Sequence, residues 1–416
     1  MKMSTPPEDA NYGMKGMRNG LAFLAFSAAL AAPVWAEAQD TIKIGDVNSY
    51  KLMAISTIHY KRGAELAIEQ INAAGGVLGK KLEMVTREDG ANPGEAVRAA
   101  EALVSSDKVA VLTGTILSNV GLAVTDFAKQ RKIFFLASAP LTDKIVYQDG
   151  NRYTFRLRAS TYSHAAALVP QAAKLNKKRW ALVYPNFEYG QSAIESFKRL
   201  LKEAQPDVQF VTEQAVPLGK IDAGAVAQAI DDAKPDAIFN VLFASDLAKF
   251  IREGETRGVF KGREVVSLLT GEPEYMDPLG SDAPVNWLVT GYPWYAIHTP
   301  EHKAFLNAYQ KKFNDYPRIA SLVGYDAFKA LAAGIAKAGS TDSEKLAQAF
   351  KDLTFDTPSG KVTFRALDHQ STFGLYVGRT DVKDGKGYMK TFEYVDGSKL
   401  QPPDAEVKQW RPEQAN

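Results

Sequence analysis

Between residues 42 and 136 the chain alternates short apolar strands with helices three times over, and this alternation limits the possible folds more than any other feature. Residues 42–47 read as a strand. Residues 63–72 follow with Ala64, Ala67, Ile68 and Ile71 at helical spacing, closed by Gly75-Gly76. Residues 81–87 alternate Leu82 and Met84 with polar neighbours, the pattern of a strand. Asn92-Pro93-Gly94-Glu95 then supplies a capping side chain, a proline in the first turn and an acid at the third position, for a helix to about Ser106. Val109-Ala110-Val111-Leu112 reads as a buried strand, 118–130 as a helix and 133–136 as another strand. When each strand is followed by a helical crossover, the sheet is parallel and doubly wound.

The pattern restarts at 180. Strands are expected at 180–184, 208–213, 237–241 and 265–269, with helices at 190–204, 223–232 and, capped by Asp246, up to Gly258. Helices at 302–313, 325–338 and 343–350 come next, then a strand-rich stretch from Val362 through Tyr376-Val377 and 390–394. Residues 402–416 are polar and are expected to pack poorly. The late helices belong beside the first sheet, so each lobe is built from discontinuous segments, with crossovers near 156–160, 290–294 and 365–370. The expected division is 39–159 plus 294–366 for lobe 1, 160–293 plus 367–402 for lobe 2, and 403–416 as a tail.

Residues 1–38 read as a secretion signal. Lys15 and Arg18 precede an apolar run over 21–32, and Ala36 and Ala38 give a small-x-small end. The run is too short to span roughly 30 Å of hydrocarbon as a helix, so a cleaved signal and a periplasmic destination are expected. Fifty Lys+Arg stand against 48 Asp+Glu. The signal carries three of each sign, leaving 47 against 45 in the mature chain, a balance with no footprint for nucleic acid or an anionic membrane. The absence of cysteine excludes disulfides, thiolate metal sites and a cysteine nucleophile.

Signals of catalysis fail one by one. Gly75-Gly76-Val77-Leu78-Gly79-Lys80-Lys81 looks like a phosphate loop, but Ala74 stands where the frame needs glycine and Lys81 where it needs Ser or Thr. Of the five histidines, only His298 and His302 lie within helical reach of each other, across Pro300. No nucleophile elbow or zinc-binding His-Glu motif occurs. A binder rather than an enzyme is expected, with no metal and no cofactor.

The opening Ile42-Lys43-Ile44-Gly45, the run from Gly63-Ala64-Glu65-Leu66-Ala67 to Ala73-Ala74-Gly75-Gly76-Val77-Leu78-Gly79, and Asp89 resemble the leucine/isoleucine/valine-type substrate-binding proteins of ABC importers. Glu188-Tyr189-Gly190, Gly324-Tyr325-Asp326-Ala327, Ala338-Gly339-Ser340 and Thr357-Pro358-Ser359-Gly360-Lys361-Val362 continue the resemblance in order along the mature chain. It implies a type I periplasmic binding protein fold: α/β, two doubly wound parallel-sheet lobes, three crossovers, and a ligand caught in the cleft. It also implies delivery to an inner-membrane ABC permease and its ATPase, by a chain expected to be monomeric.

By the same resemblance Ser118, beside Asn119 at a strand end, holds a ligand carboxylate, helped by backbone groups at Ser138 and Ala139. Tyr189 is the cleft tyrosine, and Glu272 aligns with the acid that pairs a ligand ammonium. Phe243 and Ser245 follow another strand end. The loop at Tyr50 lacks the Gly-Pro element of amino-acid binders, so Tyr50 or Lys51 is expected to reach the cleft, and Trp294 to wall it beside Tyr292 and Tyr295. The expected ligand is a small carboxylate, either an amino acid or an aromatic acid. An amide or urea binder of the same fold, or an input protein for a separate membrane sensor, are the alternatives.

Overall fold

The computed structural model describes residues 41–411; the expected signal, residues 1–38, and positions 412–416 lie outside the described residues. The first sheet contains β1 (Thr41–Asn48), β2 (Lys81–Glu88), β3 (Val111–Gly114), β4 (Phe135–Ala137) and β5 (Thr154–Arg156) in the order β2-β1-β3-β4-β5, all parallel. The second contains β6 (Arg179–Pro185), β7 (Gln209–Val216), β8 (Ala237–Asn240), β9 (Glu264–Gly271) and β10 (Leu288–Gly291). After a hairpin of β11 (Thr354–Thr357) and β12 (Gly360–Thr363), the chain adds β13 (Leu375–Lys383) and β14 (Lys386–Val395) to that second sheet. Its order is β14-β13-β10-β9-β8-β6-β7, parallel except for the two late strands, which run antiparallel.

The reason for this arrangement is visible in the burial pattern. β3 and β8 are buried at every position, as strands covered by helices on both faces must be. β2 and β7 are edge strands and keep half-exposed positions. Trp180, Phe197 and Phe239 fill the core of the second lobe, with the Phe197 and Phe239 rings stacked 3.6 Å apart. The chain passes between the sheets three times, through 157–160, 292–299 and 364–374.

Helix starts follow their local chemistry where the cap is local. The Asn92 side chain accepts from the amides of Gly94 and Glu95 at 2.9 and 3.2 Å, starting the helix Pro93–Ser105. Three expectations are corrected where tertiary structure intervenes. The helix expected at 325–338 begins at Ile319, because the Glu274 carboxylate, from the other lobe, accepts from the amides of Ala320 (2.7 Å) and Ile319 (3.3 Å). The helix expected to be capped by Asp246 begins at Ala244, and Asp246 instead accepts from the amides of Gly219 and Ile221 at 2.6 and 3.2 Å. Residues 404–410, expected to pack poorly, form a helix whose Val407 is buried and whose Trp410 meets Tyr147 edge-on at 5.6 Å. The Arg411 guanidinium anchors that end on Val146 and on the Asp368 carbonyl, which compensates its burial.

The helix Ile319–Ala338 is, among the described residues, the one long and apolar enough to cross a membrane, yet most of it is buried inside the protein. It lies along the helix Ala54–Ala73 with backbones in close approach. A Cβ at Gly63 would run into the Ser321 carbonyl, and one at Gly324 into the Tyr60 carbonyl.

Candidate functional site

Strand ends gather the site. β3 leads into the helix Ser118–Arg131, β4 into Ser138-Ala139, β6 into the helix Glu188–Ala204, β8 into Phe243 and β9 into Glu272. All of these are carboxyl ends of parallel strands, where helix amides face outward and an open α/β sheet takes its ligand. Between the two sheets lies a cavity of about 370 Å³, part of it open to solvent.

The first lobe contributes Leu117, Ser118, Ala139 and Leu141 to the walls. The Ser118 hydroxyl accepts from the Thr142 amide at 3.2 Å, so its own proton is free to point elsewhere. The second lobe contributes aromatic rings. Tyr189 and Phe243 meet edge-on at 5.6 Å, Phe187 lies 6.0 Å from Tyr189, and Tyr275 lies 6.3 Å from Phe243. Such contiguous rings offer an apolar aromatic surface. The Tyr189 hydroxyl is buried and has no hydrogen-bond partner among the described residues. Burial, followed by Tyr275 and Glu272, pushes it well above the ordinary tyrosine range.

The remaining wall is Arg158, in the first passage between the lobes, and it was not anticipated. Its guanidinium pairs with the Glu272 carboxylate, and both side chains are at least nine-tenths buried. Two smaller cavities flank this pair. One is shared with Asn48, Tyr60 and Glu274, the other with His164 and Tyr292. Burial works against the Arg158 charge, but Glu272, Tyr275 and Glu274 leave it above its usual value. Burial raises Glu272, against the pull of Arg158. Glu274 rises to about 8, first through burial and then through the neighbouring Glu272. A neutral Glu274 beside an ionised Glu272–Arg158 pair is the ordinary outcome for two acids sharing one buried cation.

The anticipated residues divide into two groups. Ser118, Ala139, Tyr189 and Phe243 come together on the main cavity, and Glu272 sits behind it on Arg158. Ser138 turns its hydroxyl to Tyr60 (3.1 Å) and the Gly114 carbonyl (3.2 Å), away from the cavity, while its own carbonyl accepts from the Arg158 amide at 3.2 Å. Asn119 lies one residue into its helix, half-buried, outside the lining. Ser245 is exposed in the first turn of the helix Ala244–Arg257. Tyr50 bonds to Asp46 rather than facing the cavity, and Trp294 stacks on Tyr316 at 4.4 Å. The aromatic wall therefore comes from Phe187, Tyr189, Phe243 and Tyr275. The two arginines at 156 and 158, so close together in a crossover, were the available signal for the missed cation.

Comparison with known proteins agrees with this architecture. The model of a family described as periplasmic binding protein matches residues 44–386. A leucine-, isoleucine-, valine-, threonine- and alanine-binding protein of Pseudomonas aeruginosa is 27% identical over 373 residues, covering 86% of this chain and 90% of that one. An ABC-transporter solute-binding protein of Rhodopseudomonas palustris, solved with 3,4-dihydroxybenzoic acid, superposes with a TM-score of 0.76 at 25% identity, over 86% of this chain and 98% of the other. A closed leucine-, isoleucine-, valine-, threonine- and alanine-binding protein of Brucella ovis gives 0.78 at 18% identity, over 88% and 97%. With the family model spanning most of its length, the chain belongs to the periplasmic binding protein family, whose solved relatives serve ABC transporters.

Proposed function

We propose that this protein captures a small aromatic carboxylate between its two lobes and delivers it to an ABC importer permease. One observation carries the reading: Arg158, the formal cation of the cavity lining, is already paired with Glu272, and aromatic rings form the facing wall. An amino acid's ammonium would meet a guanidinium where it needs a carboxylate. A carboxylate meets the same guanidinium as a partner, with the Ser118 proton and the Tyr189 hydroxyl beside it. The bound 3,4-dihydroxybenzoic acid of the Rhodopseudomonas relative supports an aromatic acid. The name of the Pseudomonas relative favours an amino acid instead, and that is the second reading. The protein acts as a monomer in the periplasm, after removal of residues 1–38, and turns nothing over.

Glu272→Gln separates the two readings. It leaves Arg158 charged and unshared, so benzoate affinity should hold or tighten. If Glu272 instead pairs a ligand ammonium, leucine or phenylalanine should bind the wild type and lose ~1.5–3 kcal/mol in the variant. Titration calorimetry on both proteins decides between them.

A further inference from the structure

One carboxylate of the first lobe is held almost wholly by the second. Asp143 lies in the turn Asp143–Ile145 that follows β4. It accepts from the Thr161 hydroxyl at 2.8 Å and the Tyr162 amide at 3.0 Å, at the start of the helix Thr161–Lys174. It also accepts from Ser196 at 2.9 Å and Ser192 at 3.3 Å, on the helix Glu188–Ala204. Its own amide donates to Ser192 at 3.1 Å. Both of those helices pack on each other and on the second sheet. The neighbouring residues extend the contact: Thr142 donates to Glu188 at 2.7 Å and Lys144 pairs with it at 3.0 Å.

The same turn reaches the ligand cavity. The Thr142 amide fixes the Ser118 hydroxyl as an acceptor on one side, which directs the hydroxyl proton to the other. Glu188 immediately precedes Tyr189 of the cavity wall. Thus one three-residue segment orients a first-lobe cavity group and grips the second-lobe helix that carries another. A solvent-open cavity of about 800 Å³ borders the cluster, lined by Asp143, Glu188, Ser192 and Ser196. Donors and acceptor would meet water as soon as the lobes part, so the contact can be made and broken without stranding a buried charge.

We propose that Asp143 is a positioning residue for ligand capture: it clasps the two lobes in the arrangement seen here, and through Thr142 it ties that arrangement to the orientation of Ser118. It touches no ligand. Its effect belongs in the lifetime of the complex rather than in the encounter.

The test uses residues 39–416 as wild type, Asp143→Ala, Asp143→Asn and the double variant Ser192→Ala/Ser196→Ala, which approaches the clasp from the other side. Benzoate is the probe, followed by stopped-flow fluorescence. Because the chain has no cysteine, Lys129→Cys and Lys202→Cys carry spin labels cleanly on the two lobes. Asp143→Ala and the serine pair should each raise the dissociation rate about tenfold, with association within about twofold. Asp143→Asn should fall between them and the wild type, and the ligand-free label distances should shift to longer values. Unchanged dissociation and unchanged distances in folded variants would overturn the proposal, as would a loss confined to association. The probe rests on the aromatic-acid reading. If the wild type ignores benzoate, that reading fails by itself, and the ligand-free distances alone decide the clasp.

Discussion

Arg158 and Glu274 set the behaviour of the site at the scale of single residues. Removing Arg158 leaves Glu272 buried without a partner. Arg158→Ala should therefore cost roughly 3–5 kcal/mol of stability in thermal or urea unfolding and abolish carboxylate binding. Glu274 gives the site a pH limit. With a pKa of about 8 it is neutral below that pH, and an arriving anion meets one ionised acid rather than two. A bound anion raises that pKa further, so affinity for a carboxylate should be flat below pH 7 and weaken up to about tenfold per unit above 8. Glu274→Gln should flatten the profile, and a slope unchanged in that variant would assign it elsewhere. The sign for stability is the same. The folded-state pKa is raised above the ordinary 4.5, so this group's contribution is full below about 4.5 and is lost as pH rises through 8. Between pH 6 and 9 the wild type should lose more melting temperature than Glu274→Gln. These roles were not readable in the sequence, because a buried ion pair joins residues 114 positions apart and leaves no local pattern. Ser118, Ala139 and Tyr189 were readable through the family resemblance, and Phe243 as a residue that follows a strand end.

At the scale of elements, the helices Ala54–Ala73 and Ile319–Ala338 approach each other backbone to backbone. Gly63→Ala places a methyl group against the Ser321 carbonyl, where only backbone movement can relieve it. A loss of about 1–3 kcal/mol in denaturant unfolding is expected, and a variant as stable as the wild type would show that the two helices are free to separate. The strands and most helices of both lobes were legible, because apolar periodicity and local caps such as Asn92 write them into short windows. What escaped was set from a distance. The helix Ile319–Ala338 begins six residues before its expected start because Glu274 reaches its first amides. The helix Asp404–Trp410 exists because Tyr147 and Arg199 receive Trp410, while Arg411 finds the carbonyls of Val146 in the first lobe and Asp368 in the third passage. A polar segment read by composition alone has no access to such partners.

At the scale of the whole molecule, two sheets present their carboxyl ends to one cavity, and three chain passages join the lobes. Ligand capture in this arrangement means that the ligand binds one lobe arrangement more strongly than the others. A ligand at 100 times its dissociation constant should then add about 2.7 kcal/mol to stability. The most direct measurement is titration calorimetry of residues 39–416, unfolded and refolded to strip carried ligand, against benzoate, 4-hydroxybenzoate, leucine and phenylalanine. The Arg158 account predicts heat and saturation with the benzoates and none with the amino acids. Saturation with leucine or phenylalanine, and silence with the benzoates, would contradict it and return Glu272 to an ammonium.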